Sequence, residues 1–290
     1  MLVVTGASGQ LGRSTVEFLR QRVDASRIVA LSRTPERLAN LGVTTRPADF
    51  NDPASLVRAF DGAERVLLVS TDDMRPGGHR QRQHAQAVEA IVAASVGQVI
   101  YTSAPRASDP ANDAPITPDH AATERVLAAA GVPYTILRNN LYTDLLLAIA
   151  PEAIASGVLR RNTGAGRIGY GVRADYAEVA AVLLAEGGHT NEVIELTGPT
   201  SLSGADLAAI LSEVSGRQVR YEAHSDADEV SGALAHGLPA PVAEFVADLG
   251  RATRDGWFDV ATTAVAEMTG RPATSALSFL AAQQHAAIPA

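Results

Sequence analysis

Apolar and polar positions change rhythm along the chain in a way that assigns most of its first half. Short runs rich in β-branched and aliphatic residues, Leu2 to Thr5, Ile28 to Ser32, Val66 to Ser70, Val99 to Ser103 and Tyr134 to Leu137, read as buried strands. Between them, Leu11 to Val23, Pro53 to Phe60, Gln83 to Ala94 and Pro118 to Ala129 carry apolar residues at helical spacing. The last of these has its ends marked: Thr117 as N-cap, Pro118 at the first helical position and Gly131 after the final turn. Strands that alternate with crossover helices build a parallel sheet covered on both faces.

Beyond residue 138 the loops lengthen, including a glycine-rich stretch from Asn162 to Gly171, and helices are expected near Asp175 to Ala185 and Gly204 to Val214. The pattern predicts a first, parallel-sheet domain over residues 1–150. Residues 151–290 are expected to form mainly a smaller, helix-rich substrate-side lobe, with some segments returning to the first domain. A chain of 290 residues can support either one large core or this two-part arrangement.

The turn that follows the first strand carries the most chemistry. Gly6-x-x-Gly9-x-x-Gly12 leaves a strand directly and opens a helix, the context in which spaced glycines let the backbone approach a pyrophosphate. This makes the fold class Rossmann-type, a doubly wound α/β sheet. About 20 residues on, where an acid commonly binds the ribose hydroxyls of NAD, the second strand ends in Ser32-Arg33. A guanidinium there pairs with the 2′-phosphate of NADP, so NADPH is expected to be preferred by at least about tenfold, with Arg37 assisting. The alternative is that Arg33 is an ordinary solvated arginine.

Composition removes other chemistries. The chain has no cysteine, which excludes disulfides and thiolate nucleophiles, and no lysine, which excludes Schiff-base and phosphate-binding lysines. A formal charge of −8 disfavours nucleic acid as a partner. No apolar run reaches the ~18–20 residues a membrane span needs, and the opening residues already read as a strand, so a cytoplasmic location is expected. His79 and His84 lack a third ligand at metal-site spacing and are assigned to a solvated helix face; Asp72 and Asp73 are read as helix caps, and no metal is expected.

The motifs Val4-Thr5-Gly6-Ala7-Ser8-Gly9-Gln10-Leu11-Gly12, Ser32-Arg33, Tyr101-Thr102-Ser103, His120-Ala121-Ala122-Thr123-Glu124, Tyr134 to Asn139, Arg173 to Ala177 and Gly270 to Ser275 together resemble the NmrA-like atypical short-chain dehydrogenases. Within that family the look is nearest to bacterial NADPH:quinone oxidoreductases and triphenylmethane reductases. The resemblance implies NADPH in a crevice and a flat aromatic or quinone acceptor stacked near the nicotinamide. The dinucleotide contacts it implies are Gly6, Ser8, Gly9, Gln10, Leu11, Gly12, Arg33, Ser70 and Thr71, with Thr102 and Asn139 toward the nicotinamide. Where relatives continue the loop after the sixth strand with polar or aromatic residues, this chain runs Asn140-Leu141-Tyr142-Thr143-Asp144-Leu145-Leu146, which puts the form of the acceptor pocket in question.

In most short-chain dehydrogenases a tyrosine, activated by a lysine one helical turn later, protonates the reduced carbonyl. Without lysine that pair cannot exist, and the corresponding helix presents His120 and Glu124 instead. An acceptor that needs no strong acid, such as a quinone, is therefore indicated. His120 is a candidate proton donor, or else a polar helix residue bonded to Glu124 or water. Ser103 and Tyr142 are candidates to orient the acceptor, or else satisfy local backbone. The missing pair also fits a second reading, a non-catalytic NADP(H)-sensing regulator that engages a protein partner.

Overall fold

The computed structural model describes residues 1–73, 75 and 77–287. In chain order the first half comprises β1 (Leu2–Val4), α1 (Gln10–Leu19), β2 (Ile28–Ser32), β3 (Thr44–Pro47), α2 (Pro53–Phe60), β4 (Arg65–Leu68), α3 (His79–Ala93), β5 (Gln98–Ser103), α4 (Thr117–Ala129) and β6 (Tyr134–Asn139). Then follow α5 (Leu146–Ser156), β7 (Val158–Arg161), β8 (Arg167–Ile168), α6 (Arg173–Glu186), β9 (Glu192–Leu196), β10 (Leu202–Ser203), α7 (Gly204–Ser215) and β11 (Arg220–Ala223). The helices α8 (Asp226–Ala235), α9 (Ala240–Arg254), α10 (Ala264–Thr269) and α11 (Ala276–Ala287) close the chain.

Seven strands form one sheet in the order β3-β2-β1-β4-β5-β6-β9, every neighbouring pair parallel. Chain order reverses between β1 and β4, and that switch point opens a crevice beyond their carboxyl ends. The central strands are buried on both faces, which is why they read as unbroken apolar runs. Strand β3 is half exposed and ends in Pro47, which an edge position tolerates.

Each face of the sheet has its own core. On one, Leu11, Val16 and Leu19 of α1 meet Tyr176, Ala177, Ala180 and Leu184 of α6. On the other, Leu56 and Phe60 of α2, Ala87 and Ile91 of α3 and Leu127 of α4 cover Val3, Val66, Val99 and Tyr101. A third cluster gathers α5, β7, β8 and α7 around Leu146, Leu159, Ile168 and Leu211, with Phe258 and Leu280. Helix α6 and strand β9 thus return from the second half of the chain to the main sheet. Helix α3 begins four residues earlier than its apolar spacing predicts, because part of the face it buries is polar: Arg80, Gln83 and His84.

Candidate functional site

Strand β1 ends at Val4 and the chain turns sharply at Gly6, whose φ of +61° is open to glycine at little cost. Gly9 N–H bonds the Gly6 carbonyl at 2.9 Å, closing the turn, and a Cβ at position 12 would lie 2.5 Å from that same oxygen. Gly9 caps α1 without any side-chain bond, and the first turn holds no acid. Among the described residues the amides of Gln10, Leu11 and Gly12 find no backbone acceptor. Unpaired donors at the positive end of a helix form a seat for an anion, which fits the pyrophosphate of a dinucleotide.

This seat opens into a cavity of about 630 Å³. Gly6, Ser8, Gly9, Gln10, Leu11, Gly12, Arg33, Ser70 and Thr71, all read from the sequence as cofactor contacts, line it together. Arg33 is exposed, and among the described residues its guanidinium has no hydrogen bond or ion pair, leaving it free for a phosphate. Arg37 stands outside the lining. The wall formed by Ala48 to Asn51 after β3, with Gln83 of α3, was not read from the sequence. Its edge strand is only four residues long and carries no alternating pattern, so the only available signal was the Asp49 to Asp52 turn before Pro53.

Thr102 and Asn139 do not line the cavity. Thr102 is buried behind it and accepts the Ser70 amide on its hydroxyl at 2.9 Å, so it supports a lining residue. Asn139 ends β6 half-buried, and among the described residues its Oδ1 has no hydrogen-bond partner.

Two candidate catalytic groups have their polar atoms committed elsewhere. Ser103 Oγ donates to Glu124 Oε1 at 2.6 Å; Arg138 clasps the same carboxylate through Nε at 2.9 Å and Nη2 at 2.6 Å, and reaches Glu195 at 3.1 Å. Burial pushes the Glu195 carboxyl up from its ordinary range. His120 does not bond Glu124 despite the i, i+4 spacing: it points into the core, 2.9 Å from Arg80 Nη2 and 2.8 Å from the Tyr101 hydroxyl. Burial first, then the Arg80 charge, holds its imidazole well below the usual histidine range. Tyr142 is half-buried, with the Arg173 guanidinium 4.6 Å from its ring centroid and Tyr176 at 5.8 Å; burial raises its phenol.

Two other sequence assignments need correction. His84 is not on a solvated face; it is fully buried, because α3 turns it toward α4 and β5. Asp73 caps no helix: its carboxylate binds Arg75 and Gln83, and Gly78 occupies the N-cap of α3.

Residues 6–186 match the NAD(P)H-binding family. The chain belongs to that NAD(P)H-binding family. Quinone oxidoreductase 2 of Escherichia coli (strain K12) is 39% identical over 279 residues, 95% of this chain and 96% of that protein. The crystal structure of the Escherichia coli NADPH-dependent quinone oxidoreductase complexed with NADPH matches with a TM-score of 0.92 at 36% identity, covering 98% of this chain and 100% of that one. Triphenylmethane reductase from Citrobacter sp., complexed with NADP(H), matches with a TM-score of 0.92 at 32% identity over 98% of this chain and 99% of that one. The resemblance drawn from the motifs and the Rossmann-type fold both hold. Among the described residues no helix is long and apolar enough to cross a membrane.

Proposed function

We propose that this protein is a cytoplasmic NADPH-dependent reductase that passes hydride to a quinone or a similar electrophilic aromatic acceptor. One observation carries the reading: unpaired helix amides above the glycine turn and a free Arg33 guanidinium face the same cavity. Two separated anionic groups, a pyrophosphate and a 2′-phosphate, match those two seats. The similarity to an NADPH-dependent quinone oxidoreductase and a triphenylmethane reductase supports the same cofactor and acceptor class.

NADPH, when bound, supplies the hydride. Gln10, Leu11 and Gly12 would hold the pyrophosphate through their amides, Arg33 would pair with the 2′-phosphate, and Ser70 and Thr71 would wall the rest of the dinucleotide site. Ser103 gives its proton to Glu124 and His120 gives its own to Tyr101, so neither donates to the acceptor. A quinone tolerates this: after hydride uptake the hydroquinone anion takes one proton from water. Tyr142, partly buried beside the end of β6 and outside the lining of the cavity, is the remaining candidate to orient the acceptor. The chain's contribution is alignment rather than acid catalysis.

Following NADPH absorbance with a panel of benzoquinones and naphthoquinones tests the proposal. Acceptor-dependent loss of NADPH is expected. Tight NADPH binding without turnover on any acceptor would favour a sensing regulator instead.

A further inference from the structure

Behind the wall of the cavity, α3, α4 and β5 enclose a polar cluster that the proposed reaction does not use. Arg80 is 5% exposed, and no carboxylate pairs with it among the described residues; its Nη2 lies 2.9 Å from His120 Nε2 and its Nε has no acceptor. His120 Nδ1 lies 2.8 Å from the Tyr101 hydroxyl, which lies 3.5 Å from His84 Nδ1. His84 Nδ1 lies 2.8 Å from Thr123 Oγ1, whose own proton goes to the Asp119 carbonyl at 2.9 Å. At the far end, His84 Nε2 accepts the Thr71 amide at 3.0 Å.

The two ends of this cluster are groups that can only donate, and each fixes the tautomer of the histidine it faces. A guanidinium cannot accept, so His120 Nε2 offers its lone pair and its proton sits on Nδ1, directed at Tyr101. A backbone N–H cannot accept either, so His84 Nε2 offers its lone pair and its proton sits on Nδ1, directed at Thr123. Thr123 oxygen then receives the His84 proton. Burial, followed by the Arg80 charge, lowers the His84 imidazole to about 3, so it stays neutral in this arrangement at ordinary pH. With no proton on Nε2, His84 has none to pass toward the cavity.

The Thr71 bond completes a set. The amides of Val69, Ser70 and Thr71 are each met from beneath by a side chain: Thr5 Oγ1 at 2.9 Å, Thr102 Oγ1 at 2.9 Å and His84 Nε2 at 3.0 Å. All three residues line the cavity, so the exit of β4 becomes a wall of fixed shape without help from a ligand. The first two supports stand on the sheet; His84 is the one that ties the wall to a helix.

We propose that His84 is a positioning residue for NADPH: it fixes the exit of β4 through the Thr71 amide, while Thr123 takes the proton on its Nδ1 and so keeps Nε2 free to accept. The inference rests on the NADPH-dependent reading above.

His84→Leu and His84→Gln separate the possibilities, because a glutamine carbonyl can stand where Nε2 stands. Titration calorimetry with NADPH is expected to show about tenfold weaker binding for His84→Leu, from the loss of one bond to a buried donor, and recovery of most of that loss in His84→Gln. The acceptor KM at saturating NADPH stays near wild type. Leucine and glutamine variants that bind NADPH equally well, or equally badly, overturn the proposal. Nitrogen-15 NMR of the wild-type histidine rings gives a test that needs no variant: His84 with an unprotonated Nε2 is expected, and a protonated Nε2 overturns it. Wild-type protein that ignores NADPH removes the functional reading along with this inference. Wild-type protein that binds and oxidises NADPH, with His84→Leu unimpaired, removes the inference alone.

Discussion

Alanine at Gly12 and at Gly9 separates what the turn does for the fold from what it does for the ligand. A methyl group on residue 12 would sit 2.5 Å from the Gly6 carbonyl oxygen, 2.8 Å from its carbon and 3.0 Å from Ala7 Cα. All three are backbone atoms of the turn itself, so no rotamer change makes room. Bringing them to the ~3.5 Å of ordinary contact opens the turn by about 1 Å. Overpacking of this kind costs about 1–3 kcal/mol, offset by roughly 0.4–1 kcal/mol for the stiffer unfolded chain. A net loss of about 1–2 kcal/mol lowers Tm by roughly 2–3 °C in a protein of this size. The same opening misplaces the amides that hold the pyrophosphate. Two charge-assisted bonds at about 1.5–3 kcal/mol each correspond to at least a ~100-fold loss of NADPH affinity.

Gly9→Ala behaves differently. Its backbone is ordinary extended chain, φ −84° and ψ 166°, and an added Cβ meets only the Gly6 oxygen, at 3.3 Å. Stability should stay within about 0.5 kcal/mol of wild type. The methyl group nevertheless projects where the dinucleotide approaches, and affinity falls about tenfold. Scanning calorimetry and NADPH titration on both variants read the two effects separately. A Gly12→Ala protein with unchanged Tm and affinity, or a Gly9→Ala protein that binds as tightly as wild type, would refute the reasoning.

Two further outcomes follow from the buried charges. The folded state holds His84 near 3 while an unfolded histidine titrates near ~6.5, so only the unfolded chain takes up that proton as the solution is acidified. The stability His84 contributes is complete above about pH 6.5 and is lost as pH falls toward 3, by roughly 2 kcal/mol between pH 7 and 5; His120 acts in the same direction and Glu195 in the opposite one. Urea unfolding at both pH values should show a smaller acid loss in His84→Gln than in wild type, and equal losses would contradict the assignment. Arg138→Met leaves the buried Glu124 carboxylate and Glu195 without their shared cation, and should cost about 3–5 kcal/mol, with most of it recovered on adding Glu124→Gln. A double-mutant cycle by urea denaturation measures the coupling, and additive losses would argue against a shared charge pair.

Much of the fold was legible because the sheet's central strands are buried on both faces and the glycine turn has a local cause. The order Val4-Thr5-Gly6 into Gln10-Leu11-Gly12 encodes strand, turn and helix within a dozen neighbouring positions, and Thr5, Gly6, Gln10, Leu11 and Gly12 line the cavity together. Strands β3 and β9 were not legible: they are edge strands, paired on one side, with exposed positions such as Thr44 and Val193 that break any apolar pattern. Spacing along the chain gave less for two of the catalytic candidates. Spacing of four along a helix put His120 and Glu124 side by side, but tertiary partners decided their bonds: Arg80 and Tyr101 took His120, while Ser103 and Arg138 took Glu124. Likewise a run such as His79-Arg80-Gln81-Arg82-Gln83-His84 looks solvated in isolation, and only the packing of α3 against α4 shows that three of its polar side chains are core.

On the proposed reading, the first-turn amides and Arg33 bind NADPH as two separate anion seats. Isothermal titration of NADPH and NADH into wild-type protein and Arg33→Ala measures this directly. Wild type is predicted to bind NADPH at least about tenfold more tightly than NADH, and Arg33→Ala to lose that preference while its affinity for NADH is kept. Wild-type protein that binds neither dinucleotide, or an Arg33→Ala variant with its preference intact, would contradict the account.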